Sequence, residues 1–386
     1  MGDSQRLSPD EQIRSAREAF DDGRDFTVAV EEEFALLDAE SLELANRYED
    51  LKSGAAGSEL DEHLVGELIA SEIEIKTGRC DGFAEAAELM ATRRAQLAEL
   101  ADRFGVGLAS TGTHPWSRWQ DQRIIDTPHY RRNNEILQYV VWRNNSFGIH
   151  VHIGIRGADR AIAVCNAFRN VLPELLALST SSPFVEDCVS GLHSARTEIF
   201  TKMFPRAGIP DVYDGWDDYE RYVRFLYATK SIDEHTQLWW SVRPHLAFPT
   251  VEVRICDAQP DLAEAQSLAA LMYALAARFA RALDEGEQLP SHPNRLLEEN
   301  MWRAIRYGLT GGLIDFDRGE TVPARARIEA LIEWVQPVAA EIGAAPYLSV
   351  PDANASERQY ARLEELLSPR DVFAELVRRP RERVGG

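Results

Sequence analysis

The sequence FTVAVEEEFALLD, from Phe26 to Asp38, alternates in character and predicts a β-strand. Side chains two residues apart point to the same face of a strand. One face therefore carries a mainly apolar row: Phe26, Val28, Val30, Glu32, Phe34 and Leu36. The other face carries Thr27, Ala29, Glu31, Glu33 and Ala35. Two carboxylates thus lie among small residues on the face opposite the predicted core.

Three further strands are predicted with the same division between an apolar face and a polar face. In residues 71–77 the polar face carries Glu72, Glu74 and Lys76. In residues 146–155 it carries Ser146, Gly148, His150, His152 and Gly154. In residues 250–256 it carries Thr250, Glu252, Arg254 and Cys256. Any one of these strands is typical of a half-solvated sheet edge, but the shared enrichment in Glu and His beside small residues indicates a common site.

Carboxylates that converge on one surface repel each other unless cations lie between them. The sequence therefore predicts a divalent metal site built from Glu31, Glu33, Glu74, His150 and Glu252. Oxygen-dominated ligation favours Mg²⁺, with Mn²⁺ as the alternative, over Zn²⁺. Arg254 shares a face with Glu252 and suits a phosphate oxygen. A structural ion pair with one of the glutamates is the other interpretation of Arg254.

The H-x-H pair His150 and His152 would, taken alone, indicate a zinc hydrolase, and either histidine can also be a satisfied core residue. The sequence contains neither G-x-x-x-x-G-K-[ST] nor G-x-G-x-x-G. A bound nucleotide would therefore be held through metal ions on the sheet and not by a loop that cradles phosphates.

The order of elements predicts an α+β protein with a mostly antiparallel sheet in residues 26–256 and helices in residues 260–380. Residues 1–25 are predicted to form a polar arm with a short helix, ahead of a single catalytic domain of residues 26–380. Helices are predicted near 81–100 and 159–178, and again at 260–284, 295–308, 325–342, 355–367 and 370–379. Two more strands are predicted at 105–110 and 238–242. Residues 184–216 are predicted to be a long functional loop.

Composition narrows the class of protein. The formal charge is -21, and no basic stretch exists that would neutralise phosphates, which argues against nucleic acid as a partner. No window approaches the roughly 18 consecutive apolar residues of a membrane span, so no membrane partner and a cytoplasmic location are expected. The four cysteines show no C-x-x-C spacing and are predicted to be reduced core thiols: Cys80, Cys165, Cys188 and Cys256.

Five motifs, in this order, resemble the glutamate-cysteine ligase type 2 family of carboxylate-amine ligases. They are VEEEF at 30–34, EIKT at 74–77, GIHVH at 148–152, Arg196-Thr197 with PRAGIP at 205–210, and TVEVR at 250–254. A sixth stretch, WRAIRYG at 302–308, resembles the C-terminal part of the family. The resemblance extends over about Phe26 to Gly308. Ala29 stands where the family usually has glycine before the first Val-Glu, a small change that keeps room on this face.

The resemblance implies a glutamine-synthetase-like curved antiparallel sheet that forms a funnel, with helices packed on its outer side. It implies Mg²⁺ ions between the sheet and the ATP phosphates, at positions that match Glu31, Glu33, Glu74, His150 and Glu252. Arg254 matches a phosphate-contacting arginine, next to Glu252 in the nucleotide site. Arg196 matches a substrate-contacting arginine.

The expected function is an ATP-dependent carboxylate-amine ligase, with glutamate-cysteine ligase activity in glutathione biosynthesis. Phosphoryl transfer from ATP to the γ-carboxylate of glutamate would give an acyl phosphate, which the amine of cysteine or of another small molecule attacks. A homodimer is left open. Two alternatives remain at this point: a metal-dependent hydrolase that uses His150, His152 and the clustered acids, and a non-catalytic nucleotide-binding descendant of a ligase.

Overall fold

The computed structural model describes residues 8–378. Its strands are β1 Val28–Asp38, β2 Leu64–Val65, β3 Glu72–Lys76, β4 Val106–Ala109, β5 Ile149–Gly154, β6 Phe184–Val185, β7 Cys188–Val189, β8 Val242–His245, β9 Thr250–Val253, β10 Gly312–Asp315 and β11 Glu320–Pro323. Its helices are α1 Pro9–Asp21, α2 Tyr48–Ala55, α3 Phe83–Phe104, α4 Pro128–Leu137, α5 Tyr139–Trp142, α6 Ala158–Phe168, α7 Leu172–Ser179, α8 Ala195–Met203, α9 Trp216–Ala228, α10 Leu262–Asp284, α11 Asn294–Tyr307, α12 Ala324–Glu341, α13 Ala355–Leu366 and α14 Pro369–Arg378.

One antiparallel sheet organises the molecule. Its strand order is β2-β3-β1-β5-β9-β8, and β4 pairs with the second half of β1. The long strand β1 is central because it pairs with β3, β4 and β5. The α+β class and the antiparallel sheet predicted from the sequence are confirmed.

The apolar face of the sheet packs against helices. Residues of β1, β5 and β9 share one hydrophobic cluster with residues of α3, α6, α7 and α10. Glu32 is the one charged residue in the apolar row of β1, and it is 3% exposed. Its carboxylate accepts hydrogen bonds from Arg94 of α3, with Arg94 Nε 3.1 Å from Glu32 Oε1. Glu32 and Arg94 therefore form a buried structural ion pair on the side of the sheet opposite the polar face.

The strand register brings the polar residues together. Glu31 lies directly opposite Lys76 on β3 and opposite His150 on β5. Two residues further along β5, on the same face, His152 lies opposite Glu252 on β9. Directly paired residues on one face have Cβ atoms about 5 Å apart. The side chains of these paired residues therefore form one continuous polar surface.

Three predicted elements differ from the structure in kind, number or position. Residues 184–216 are not one long loop, since they contain the β6–β7 hairpin and α8, which begins after the N-cap Ser194. The predicted helix at 159–178 is two helices, because Pro173, in the first turn of the second helix, lacks the N–H that would continue the first. The strand predicted at 238–242 is wrong in position, and β8 occupies 242–245.

The C-terminal region also contains strands that the sequence pattern did not predict. The hairpin β10–β11 lies between two helices in the region predicted to be all helical. Its exposed second strand shows no alternation of apolar and polar residues. Cys80, Cys165 and Cys256 are buried free thiols as predicted, but Cys188 is exposed in the β6–β7 hairpin, so its assignment to the core was wrong.

Helix α1 begins with a capping box between Ser8 and Glu11. It buries Ile13, Ala16 and Phe20 in the same hydrophobic cluster as β1. A division between an arm and a catalytic domain at residue 25 stays a prediction, and the predicted domain end at residue 380 lies outside the described residues. Within residues 8–378, no single helix has the length and apolar content to cross a bilayer; α6 and α7 reach them only as a pair bent by 59°.

Candidate active site

Four neighbouring strands supply the polar surface. Its acidic and imidazole side chains are Glu31 and Glu33 from β1, Glu74 from β3, His150 and His152 from β5, and Glu252 from β9. Each of these residues except Glu31 is less than 9% exposed. Burial of this many ionisable groups is costly unless each has a partner or a cation. The surface therefore has the chemistry of a cation site.

Two groups of three ligand atoms share Glu31. Glu31, Glu74 and His150 form the first group; Glu31, His152 and Glu252 form the second, and the atoms within each group lie within 4.8 Å of one another. His150 Nδ1 lies 3.6 Å from Glu31 Oε2, and His152 Nε2 lies 3.5 Å from the same oxygen. Two atoms that are each about 2.1 Å from one Mg²⁺ ion lie roughly 3–4 Å apart. These separations fit two divalent ions held on either side of Glu31.

An unsatisfied ring nitrogen supports the same conclusion. His150 Nδ1 is buried and has no hydrogen-bond partner in the structure. Burial, followed by the nearby Arg254 guanidinium, lowers the pKa of His150. The imidazole is therefore neutral, which is the form that ligates metals. A set of carboxylate oxygens with one imidazole per ion fits the oxygen-dominated ligation predicted from the sequence.

Of the five predicted ligands, four lie in these two groups. Among the described residues, Glu33 belongs to neither group. Its carboxylate lies 3.6 Å from His150 Nε2 and accepts a hydrogen bond from the Gly148 N–H. His152 was not among the predicted ligands, although its place two residues after His150 puts it on the same face. The period of the strand was thus the signal that could have included it.

Buried carboxyl groups in the site have opposing pKa shifts. Burial, followed by neighbouring carboxylates, raises the pKa of Glu72 and Glu74 well above the usual range. Burial alone would also raise the pKa of Glu31, but His152, His150 and Lys76 bring that pKa well below its usual range. Lys76 Nζ lies 3.0 Å from Glu31 Oε1 and 2.8 Å from Glu74 Oε1. Lys76 is therefore shared between Glu31 and Glu74. Further positive charge would stabilise both carboxylates.

Arginines surround the second group. Glu252 accepts hydrogen bonds from Arg243, whose Nε is 2.7 Å from Glu252 Oε2, and from Arg254. The structure thus contains the ion pair that was the alternative interpretation of Arg254. Arg254 Nε is buried and has no partner, so this side chain keeps a donor for a further oxygen. Arg243 was missed because its strand begins four residues later than predicted.

Arg196 reaches the site from α8. Its guanidinium donates to the carbonyl oxygens of Ile255, at 3.1 Å, and of Arg254, at 3.3 Å. Arg196 Nε is buried without a partner. A Cβ atom on Gly148 would overlap the Arg196 guanidinium. The glycine in the row of His150 therefore provides the space that Arg196 occupies.

A cavity of about 100 Å³ adjoins the part of the site that contains Arg196 and Arg254. Arg196, Arg254, Glu33 and His150 line it together with two acids that were not among the predicted site residues, Glu67 and Glu72. Its apolar wall includes Leu68, Leu137, Val141, Phe200, Phe204 and Trp239. Glu67 lies outside any strand, so no periodic pattern could place it. The cavity combines donors for a carboxylate with acceptors for an ammonium group, which suits an amino acid.

The sequence matches the family model described as glutamate-cysteine ligase family 2 over residues 27–363. A protein of Sorangium cellulosum (strain So ce56), named "Putative glutamate--cysteine ligase 2", is 40% identical over 91% of this chain and 95% of its own length. A protein of the same name from Solibacter usitatus (strain Ellin6076) is 39% identical over 82% of each chain.

Solved structures show the same fold. A glutamate-cysteine ligase from Francisella tularensis, crystallised with AMP, matches with a TM-score of 0.65 at 13% identity, over 92% of this chain and 88% of that chain. A bifunctional glutathione synthetase from Pasteurella multocida matches with a TM-score of 0.63 at 14% identity, over 96% of this chain. This chain spans about half of the bifunctional protein, 53% of its length.

Proposed function

This chain belongs to the glutamate-cysteine ligase family 2 and is an ATP-dependent carboxylate-amine ligase, and we propose that it joins the γ-carboxylate of glutamate to the amine of cysteine or of another amino acid. A cytoplasmic location and a role in glutathione biosynthesis belong to the same proposal. The observation that carries it is the junction of two features. A surface of buried carboxylates and imidazoles adjoins a cavity that contains two arginines with free donors.

The acidic surface supports divalent cations as part of the reaction. Triphosphate brings further negative charge to a surface that already holds four glutamates, so phosphate and carboxylates need positive charge between them. We assign Glu31, Glu74 and His150 to one Mg²⁺ ion, and Glu31, His152 and Glu252 to another. Mg²⁺ at these positions would neutralise charge on the transferring phosphoryl group. Glu33 would orient His150 from the side of the cavity.

The arginines suit two different oxygens. Arg254 lies between the second ligand group and the cavity, so its free Nε would donate to an oxygen of the transferring phosphate. Arg196 Nε would donate to a carboxylate of the amino acid in the cavity. The γ-carboxylate oxygen of glutamate attacks the terminal phosphorus of ATP and releases ADP. The amine nitrogen then attacks the acyl carbon of the resulting acyl phosphate and gives up one proton, and phosphate leaves with the C–O bond electrons.

The proposal is tested by supplying the purified protein with ATP, Mg²⁺ and glutamate together with a panel of amines. We expect ADP to form in step with a γ-glutamyl amide, identified by mass spectrometry, and the best substrate in the panel to identify the acceptor. Amide hydrolysis that needs no ATP would contradict the proposal in favour of a metal-dependent hydrolase. Nucleotide binding without product for any amine would contradict it in favour of a non-catalytic protein.

A further inference from the structure

The polar surface has two ends that differ in structure. Thr250 begins β9, Glu252 follows in the same strand, and Arg254 comes directly after the strand, at the cavity end. His152 on β5 extends toward that opposite end, where its Nδ1 is 3.0 Å from Thr250 Oγ1. The cavity and Arg196 occupy the first end. A nucleotide whose phosphates lie over the middle of the surface would therefore extend its base past Thr250.

Two stacked rings lie just beyond Thr250. The turn between β8 and β9 carries Phe248, whose ring is within 15° of parallel to the His245 ring at a centroid distance of 4.9 Å. Phe248 is 58% exposed, so its ring stays largely accessible although it packs on His245. The His152 ring lies 5.3 Å from the His245 ring and 6.4 Å from the Phe248 ring.

Single exposed apolar side chains are common and need no explanation. Phe248 differs because a second ring holds it in place and because it lies next to His152, a member of the second ligand group. A fixed aromatic face beside a site for phosphates has the chemistry that binds a nucleobase.

We infer that Phe248, supported by His245, is the platform on which the purine base of ATP stacks. The inference rests on the proposed function, since it takes the phosphates to lie over Glu31, His152 and Glu252. It extends that function by assigning the base to the β8–β9 turn, on the side opposite the amino-acid cavity. Stacking does not read the hydrogen-bonding edge of a base. The platform by itself would therefore accept adenine and guanine alike.

The test compares binding of a non-hydrolysable ATP analogue with binding of inorganic triphosphate, both with Mg²⁺ and measured by calorimetry. We expect Phe248→Ala to weaken binding of the analogue about tenfold, the order of loss for one stacked base. Binding of inorganic triphosphate should stay unchanged, since it has no base. Phe248→Tyr should bind the analogue within about twofold of the wild type, because it keeps the ring.

Phe225→Ala is the matched control, because Phe225 is a similarly exposed aromatic, 61% accessible, on α9. It should leave binding of both ligands unchanged. Wild-type affinity for the analogue in Phe248→Ala would overturn the inference, and so would equal weakening of both ligands.

The binding assay contains neither glutamate nor an amine. A selective loss in Phe248→Ala therefore supports the platform even if no amine yields a product, an outcome that would refute only the proposed reaction. A wild-type protein that does not bind the analogue would overturn the platform.

Discussion

At the scale of single residues, neighbouring glutamates on β1 have different roles because a strand alternates its faces. Glu31 belongs to both ligand groups. Glu32 lies on the opposite face, where Arg94 satisfies its carboxylate inside the apolar layer. The sequence EEE at 31–33 therefore contains two residues of the polar surface and one structural residue, and this difference can be tested by substitution.

Glu31→Gln should reduce ligase turnover by orders of magnitude while leaving the fold intact, because the amide loses the charge that both proposed ions require. The measurement is the steady-state rate over a range of Mg²⁺ concentrations. Glu252→Gln should have the same effect, and near-wild-type rates in both variants would refute the assignment of the metal ligands.

Glu32→Gln is the matched control for that experiment. It should cost about 1–3 kcal/mol of unfolding free energy, because it weakens a buried charge-assisted hydrogen bond. Urea unfolding measures this cost. The rate per folded molecule should stay within severalfold of the wild type, since Glu32 faces the helices.

Gly148→Ala should lower kcat/KM for glutamate at least tenfold, because the added methyl group would displace the Arg196 guanidinium. The KM for ATP should change much less, because Arg196 lies at the cavity end of the site. Gly82→Ala is the control, since nothing lies within 4 Å of a Cβ atom at Gly82. Equal kinetics in the two variants would contradict the role of Arg196 in binding the amino acid.

At the scale of elements, α8 connects local capping to the site. Ser194 is the N-cap of α8, and its hydroxyl accepts a hydrogen bond from the Thr197 N–H. The same hydroxyl contacts the buried carboxylate of Asp257 at 2.9 Å. Arg196 follows two residues later in the first turn of this helix. The cap therefore fixes the part of the chain that carries a proposed substrate-binding side chain.

Ser194→Ala should destabilise the protein by about 1–2 kcal/mol, the usual cost of a lost N-cap, and should raise the KM for glutamate. Ser8→Ala, at the cap of α1, removes a capping box formed between Ser8 and Glu11 and should leave the KM for glutamate unchanged. Thermal unfolding and steady-state kinetics on both variants make the comparison. A wild-type KM in Ser194→Ala would show that the α8 cap does not position Arg196.

For the molecule as a whole, the acidic excess and the buried acidic surface should respond differently to added ions. The repulsion that arises from a net charge of -21 is screened by any salt. The proposed metal site should instead respond to a divalent ion of defined coordination. Comparing Mg²⁺ with NaCl at equal ionic strength separates these two effects.

Each bound Mg²⁺ ion, at about 100 times its Kd, should raise Tm by roughly 3 °C, since binding of one ion to the folded state alone adds about 2.7 kcal/mol. NaCl at the same ionic strength should raise it less, and a chelator should reverse the gain. Differential scanning fluorimetry makes the measurement. In Glu31→Gln the specific gain should disappear; an equal response to both salts in the wild type would contradict the metal site.

The sequence alone determined the two faces of four strands, and with them the apolar core and most of the acidic surface. This was possible because the alternation of a strand is local, so Glu31, His150 and Glu252 could be assigned to a face without knowledge of the fold. The same alternation put His152 on that face, although it was left out of the predicted ligands. The motifs also indicated the family, and the match to the family model over residues 27–363 confirms it.

Only the tertiary structure decided which polar residues meet. The register made Glu31 common to both ligand groups, and the positions of Glu67, Arg243 and Arg196 depend on a connecting segment, a shifted strand and a capped helix. The ring pair of His245 and Phe248 depends on a turn. Except for this local ring pair, these features come from contacts between residues far apart in the chain, and such contacts leave no periodic pattern in the segments that make them.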